Sequence, residues 1–204
     1  MKKLFLFILF FTFSLFAQTN NLISPSNFKA SFEALESLKI LEGYRAYVYY
    51  DNNQNIIFGY GHLVLPQEEE FLKTHFGYET ILDSKQKLLT PPVKPMSEPQ
   101  KKEYIENLLL QDVEKVLAYM RETILVPLKQ NQVDAILIYL FWRGANPLNE
   151  DVAYFYSLVN ARDHKGIVNF MINKPKSDKN YLPGLKRRNQ QTADLYNTGF
   201  YLFD

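Results

Sequence analysis

The segment Leu41-Glu42-Gly43-Tyr44-Arg45-Ala46-Tyr47-Val48-Tyr49-Tyr50-Asp51 constrains this chain more than any other. Upstream of it, Phe28, Phe32, Leu35, Leu38 and Leu41 recur at spacings of three and four, the period of a helix with one apolar stripe. Ser26 stands where it can cap that helix, and Gly43 where a C′ glycine stops it. Tyr44 to Tyr50 is then rich in aromatics and valine, which favours extended backbone. Asp51-Asn52-Asn53-Gln54-Asn55 reads as a turn, because Asn and Asp tolerate left-handed backbone and bond to their own chain. Ile56 to Gly61 is the returning strand. A chain written this way must leave a helix and enter a hairpin at once, and it sets one carboxylate on each side of the junction.

Those carboxylates, Glu42 and Asp51, are nine positions apart. Taken singly, each has an ordinary reading as a surface or capping group. Together, at two ends of one helix-to-hairpin junction, they can reach one cleft. Glycoside hydrolysis needs such a pair, one carboxyl to protonate the leaving oxygen and one to serve the opposite face of the sugar. Burial of Glu42 among aromatics would raise its pKa and keep the proton available at neutral pH.

The rest of the chain supplies the frame. Residues 63–99 read as irregular, with Glu68-Glu69-Glu70 a solvated patch and Pro91, Pro92, Pro95 and Pro99 marking a lobe boundary. Ser97-x-x-Gln100 is a capping-box pattern that opens a long helix, whose stripe is Ile105, Leu108, Leu109, Val113, Val116, Leu117, Met120 and Ile124 before Pro127 interrupts. Shorter helices are expected over 131–142, about 153–173 and 183–195. The fold class is therefore α+β and mostly α: an N-terminal lobe with a hairpin over about 26–96, then the long helix and a helical lobe over 97–204.

Lys2 and Lys3, the apolar run Leu4 to Phe16, and Ala17 before Gln18 have the layout of a secretory signal peptide. The run is shorter than the roughly 20 residues a membrane span requires. The expectation is cleavage after residue 17, a mature domain over 18–204, and a secreted or periplasmic location without membrane insertion. Lys and Arg total 23 against 22 Asp and Glu, so no global charge points to nucleic acid. There is no cysteine, which excludes disulfides, thiol catalysis and cysteine-based metal sites. The three histidines, His62, His75 and His164, lack metal-ligand spacing, so neither metal nor cofactor is expected.

The chain resembles the phage-type lysozymes (glycoside hydrolase family 24). The likeness runs through Glu42-Gly43, Tyr49, Asp51 and Gly59-Tyr60-Gly61-His62. It resumes in Leu109-Leu110-Gln111-Asp112-Val113 on the long helix, in Pro183-Gly184-Leu185-Lys186-Arg187-Arg188, and in Tyr196-Asn197-Thr198-Gly199. The resemblance implies a lysozyme-like two-lobe fold and a monomeric muramidase. Such an enzyme cleaves β-1,4 bonds between N-acetylmuramic acid and N-acetylglucosamine in peptidoglycan, in a bacteriolytic or cell-wall role. It implies Glu42 as general acid and Asp51 as the carboxylate that orients water, with an inverting course. It implies a structural clamp in which His62 pairs with Asp112, a charge that would otherwise lie unpaired on an apolar stripe. Tyr60 and Trp142 are the aromatics assigned to the substrate; Trp142, where the family commonly has an amide residue, can stack on a sugar ring, with core packing as its ordinary reading. The Lys and Arg residues of the C-terminal lobe, Arg187 and Arg188 among them, read as a solvated basic face. The family's glutamate after the arginine pair is Gln190 or Gln191 here, which removes an ion pair at that place.

One position departs from the pattern. Ile57 stands where the family carries a threonine whose hydroxyl helps hold the attacking water. This leaves open a second reading, a silent or weakened peptidoglycan-binding protein of the same fold. A third is cleavage with the muramic acid hydroxyl as nucleophile, which leaves Asp51 unexplained.

Overall fold

The protein is described by a computed structural model over residues 21–51, 54–81, 86–173 and 183–201. The leader expected over residues 1–17 lies outside the described residues. No described helix is long and apolar enough to cross a membrane.

After a 3-10 turn at Pro25–Asn27, helix α1 (Phe32–Glu42) starts later than the sequence suggests. Its cap is Ser31, whose hydroxyl accepts from the Ala34 N–H at 3.0 Å, rather than Ser26. The reason is packing. Phe28 is fully buried and Phe32 is largely exposed, so the two cannot share one stripe. Arg121 holds the segment by donating to the Phe28 carbonyl at 2.9 and 3.1 Å. At its other end α1 stops at Gly43, and strand β1 (Arg45–Tyr50) begins directly.

β1 pairs antiparallel with β2 (Ile56–Gly59), Tyr49 opposite Ile57 and Tyr50 opposite Ile56. β2 pairs in turn with the short β3 (His62–Leu63). Here the sequence reading needs correction. Residues 63–99, expected to be irregular, form helix α2 (Pro66–Phe76) and strands β4 (Tyr78–Ile81) and β5 (Lys87–Thr90). β4 joins β1 in parallel at Val48 and Tyr78, giving a five-stranded sheet in the order β3-β2-β1-β4-β5. These elements left little trace because α2 buries only Leu72 and Phe76, and β5 is an exposed edge strand with no alternating face. The solvated acidic patch is also partly wrong, since Glu68 and Glu69 are half-buried and ion-paired, to His62 and Lys73.

The proline stretch ends where α3 (Glu98–Thr123) begins, with Gln100 Oε1 accepting from the Ser97 N–H at 3.1 Å. Helices α4 (Gln130–Arg143), α5 (Glu150–Asn160), α6 (His164–Asn173) and α7 (Pro183–Thr198) complete the second lobe. The single helix expected near 153–173 is two, broken at Arg162, whose φ is 55°. There Asp163 Oδ1 caps the Gly166 N–H at 2.9 Å.

Two hydrophobic cores result. The smaller one joins Val48, Phe58, Val64, Leu72 and Phe76 to Ile105 and Leu108 of α3. The larger one takes Leu109 to Met120 of the same helix together with α4 to α7. A buried carboxylate, Asp134, ties the second lobe to α1 and the C-terminal segment. It accepts from the Ser31 N–H at 3.1 Å, the Gln130 amide at 2.9 Å and the Tyr201 hydroxyl at 2.5 Å. Burial pushes the Asp134 carboxyl above the usual carboxylate range, and these donors oppose that shift.

Gly59 sits where the sheet meets α3. Its φ is +62°, and a Cβ there would lie 2.9 Å from Ile105 Cγ2. Gly59→Ala should therefore destabilise the protein by about 1–3 kcal/mol from strain and overpacking. In the double variant with Ile105→Ala the two losses should sum to less than their separate values, because the smaller side chain admits the new methyl. Urea unfolding of the three variants measures both effects.

Candidate active site

Glu42 is the last residue of α1, so its side chain leaves the helix just as the chain turns into β1. Its Oε2 faces Gly61, where a Cβ would lie only 3.4 Å away. Gly61 has φ +83°, so backbone conformation and the nearby carboxylate both favour a residue without a side chain. Its Oε1 meets the Arg188 guanidinium at 2.6 Å. The surroundings differ from the aromatic pocket that the sequence suggests for Glu42: the partner is a cation brought by α7 from 146 positions away. The pair is well covered, with 12% of the Arg188 side chain and 17% of Glu42 exposed. Arg188 thus ties α7 to the N-terminal lobe through Glu42. Trp142, at the end of α4, backs this pair with its ring centre 5.8 Å from the Arg188 guanidinium carbon.

Asp51 follows β1 and closes the hairpin. Its Oδ1 accepts from the Asn55 backbone N–H at 2.8 Å and its Oδ2 from the Asn55 side-chain amide at 2.9 Å. Its own N–H donates to the Asn55 carbonyl at 3.0 Å, and Gln54 takes φ 66° to make the turn. Tyr49 lies on β1 between the two carboxylates in the chain. Burial raises its phenol above the ordinary tyrosine range, Arg45 opposes this, and the negative charges of Glu42 and Asp51 add to it. One hydroxyl is therefore within electrostatic reach of both acids. Arg45 lies over the Tyr49 ring at 4.2 Å and Tyr47 packs edge-on to it. Ile57, directly across from Tyr49, presents only hydrocarbon.

Tyr60 goes elsewhere. Its ring packs edge-on against Tyr44, and with Tyr44, Glu98, Pro99 and Lys102 it lines a cavity of about 520 Å³. The charges around it are Lys39, Glu106 and Glu36, not Glu42 or Asp51. Of the two aromatics assigned to substrate from the sequence, Trp142 lies beside the Glu42–Arg188 pair and Tyr60 does not.

His62 is buried between the lobes. Nδ1 lies 2.7 Å from Asp112 Oδ2 on α3, and Nε2 lies 3.1 Å from Glu68 Oε2 on α2. Lys115 bonds the other Asp112 oxygen at 2.8 Å, and Glu68 Oε2 also accepts from the Leu65 N–H at 2.8 Å. Sequence reasoning named Asp112 and missed Glu68. The available signal was its position in the first turn of a helix after Pro66, where a carboxylate satisfies open N–H groups. Among the described residues no cluster of three His, Cys, Asp or Glu side chains is arranged to hold a metal.

Glu42 lies by the Gly-x-Gly turn, Asp51 follows β1 at the hairpin, and His62 of β3 bonds Asp112 of the long helix; the phage lysozyme family model matches residues 39–192, which include all of them. The chain belongs to the phage lysozyme family. Solved structures share the fold. An endolysin from the Escherichia coli O157:H7 phage FAHEc1 is 24% identical with TM-score 0.60, covering 86% of this chain and 98% of that one. The muramidase domain of SpmX from Asticcacaulis excentricus is 21% identical with TM-score 0.59, covering 83% and 98%. P22 lysozyme is 18% identical with TM-score 0.53, covering 83% and 99%. No curated protein matches the chain.

The His62 cluster gives a pH signature. Burial lowers the His62 pKa, but hydrogen bonds and charge from Asp112 and Glu68 outweigh it and raise the group above 6.5. Its contribution to stability is then complete below the unfolded value and is lost as pH rises through the folded one. For Asp112 and Glu68 burial again opposes, yet His62 and their other donors hold both below the ordinary carboxylate values. Their contribution is present above those values and lost as pH falls through the folded ones. His62→Ala should therefore lower Tm more at about pH 6 than at about pH 9, and thermal melting across that range checks it.

Proposed function

We propose that this protein is an exported muramidase that hydrolyses the β-1,4 bond between N-acetylmuramic acid and N-acetylglucosamine in peptidoglycan. Membership of the phage lysozyme family and the muramidase and endolysin named among its structural neighbours support the substrate class. The observation that carries the reading is the junction itself. Glu42 is the last residue of α1 and Asp51 directly follows β1, so the two acids stand at the two ends of one strand.

In this reading Glu42 is the general acid. Arg188 holds Oε1, which leaves Oε2 on the Gly61 side to give its proton to the glycosidic oxygen as the C–O bond breaks. Water attacks the anomeric carbon from the opposite face, and Asp51 orients it, takes its proton and stabilises the positive charge that develops on the sugar. Trp142 stacks on a sugar ring beside the acid. His62, Asp112 and Glu68 hold the lobes and take no part in proton transfer. The leader directs the chain out of the cytoplasm to its substrate, where it acts as a monomer without a cofactor.

A second reading, a binding protein that keeps the fold and has lost turnover, is favoured by Ile57 alone. Mass spectra of fragments released from purified peptidoglycan separate the two. Reducing-end muropeptides are expected, and Glu42→Gln should cut their release by about 100-fold or more. Retention on the pelleted wall with no fragments would establish the binding reading. Anhydro ends, one water lighter, would move the nucleophile to the substrate's own hydroxyl.

A further inference from the structure

The departure at Ile57 removes a hydrogen-bonding group from the place where the muramidase reading needs one. An attacking water is best oriented when two acceptors take its two hydrogens, since its lone pair then points at the carbon to be attacked. Asp51 is one acceptor. A second has to lie on the same face of the β1–β2 hairpin.

Alternation along the strands identifies that face. Ile56 and Phe58 turn into the small core, so Ile57 is on the other side of β2, opposite Tyr49 of β1. The same alternation carried to the hairpin end places Asp51 and Asn55 on the face of Tyr49 and Ile57. Their backbones continue the pairing, with the Asp51 N–H donating to the Asn55 carbonyl at 3.0 Å. Asn55 is exposed, and its side chain reaches Asp51 Oδ2 at 2.9 Å. An ionised carboxylate only accepts, so the amide must turn its NH₂ to Asp51. Its Oδ1 then points away from Asp51 and makes no bond among the described residues.

We infer that Asn55 is a positioning residue for the attacking water: its NH₂ fixes the Asp51 carboxylate, and its amide oxygen is the second acceptor that Ile57 cannot supply. The inference rests on the muramidase reading. One water hydrogen is donated to Asp51 and passes to that carboxylate as the new C–O bond forms. The other stays with the sugar product, held until then by Asn55 Oδ1. The old C–O bond breaks with the Glu42 proton going to the leaving oxygen, so charge and protons balance.

The test is steady-state release of reducing ends from uncrosslinked glycan strands by the unsubstituted chain, Asn55→Ala, Ile57→Thr and the double variant, with thermal melting of each. Asn55→Ala removes only the amide, because the 2.8 Å bond to Asp51 Oδ1 comes from the backbone. It should lower kcat by about 10- to 100-fold with KM and Tm close to the parent's. Adding Ile57→Thr should return most of that loss, since a hydroxyl on the same face restores an acceptor. Unchanged kcat in Asn55→Ala, a loss that falls instead on KM or Tm, or a double variant no faster than Asn55→Ala would each overturn the role of Asn55. No reducing ends from the unsubstituted chain would overturn hydrolysis itself, so the two failures are told apart.

Discussion

Helix α3 belongs to two cores at once, and the rest of the molecule is arranged around that fact. Over 26 residues, roughly 39 Å, it gives Ile105 and Leu108 to the sheet lobe and Leu109 through Met120 to the helical lobe. Neither core could hold its part of α3 without placing the other, because a helix transmits direction rigidly over this distance. The separation of the lobes, and hence the room between Glu42 and the residues facing it, is fixed largely by this one element. The close packing of Gly59 on Ile105 is where the sheet is held to it.

Polar contacts then fix how the lobes face each other. Burying charge costs free energy unless it is paired, so a charge at such a boundary has few permitted geometries. His62 is gripped by carboxylates from α2 and α3. Arg188 reaches from α7 to Glu42 at the end of α1. Asp134 collects donors from the start of α1 and the C-terminal segment. All of these contacts except His62–Glu68 join elements distant in the chain, and each meets a charge that would be costly alone. Specific orientation follows from this pairing, which apolar packing by itself tolerates in several arrangements.

The hairpin face carries its polar chemistry at one end. With Ile57 apolar, the polar groups opposite Tyr49 are concentrated at the tip, where Asp51 and Asn55 bond to each other through both backbone and side chain. The backbone and side-chain bonds between Asp51 and Asn55 leave these two groups little conformational freedom.

The parts of the fold that rest on local rules were legible in the residues themselves. The stripe from Ile105 to Ile124, the stop at Gly43, the turn at Asp51 to Asn55 and the prolines before α3 each follow from periodicity or backbone preference acting over a few positions. The same local rules failed where burial was decided elsewhere. Ser26 looked like a cap until Phe28 was taken into the large core, and β4 could be recognised only through its pairing with β1. Glu42 and Asp51 stood out because both flank one junction, whereas Glu68 and the Arg188 partner did not. An ion pair spanning 146 positions has no periodicity to betray it. The sequence by itself thus determined the elements and the two acids, since both are set by neighbours along the chain. Only the tertiary structure decided which charges meet, because that depends on how two cores orient their shared helix.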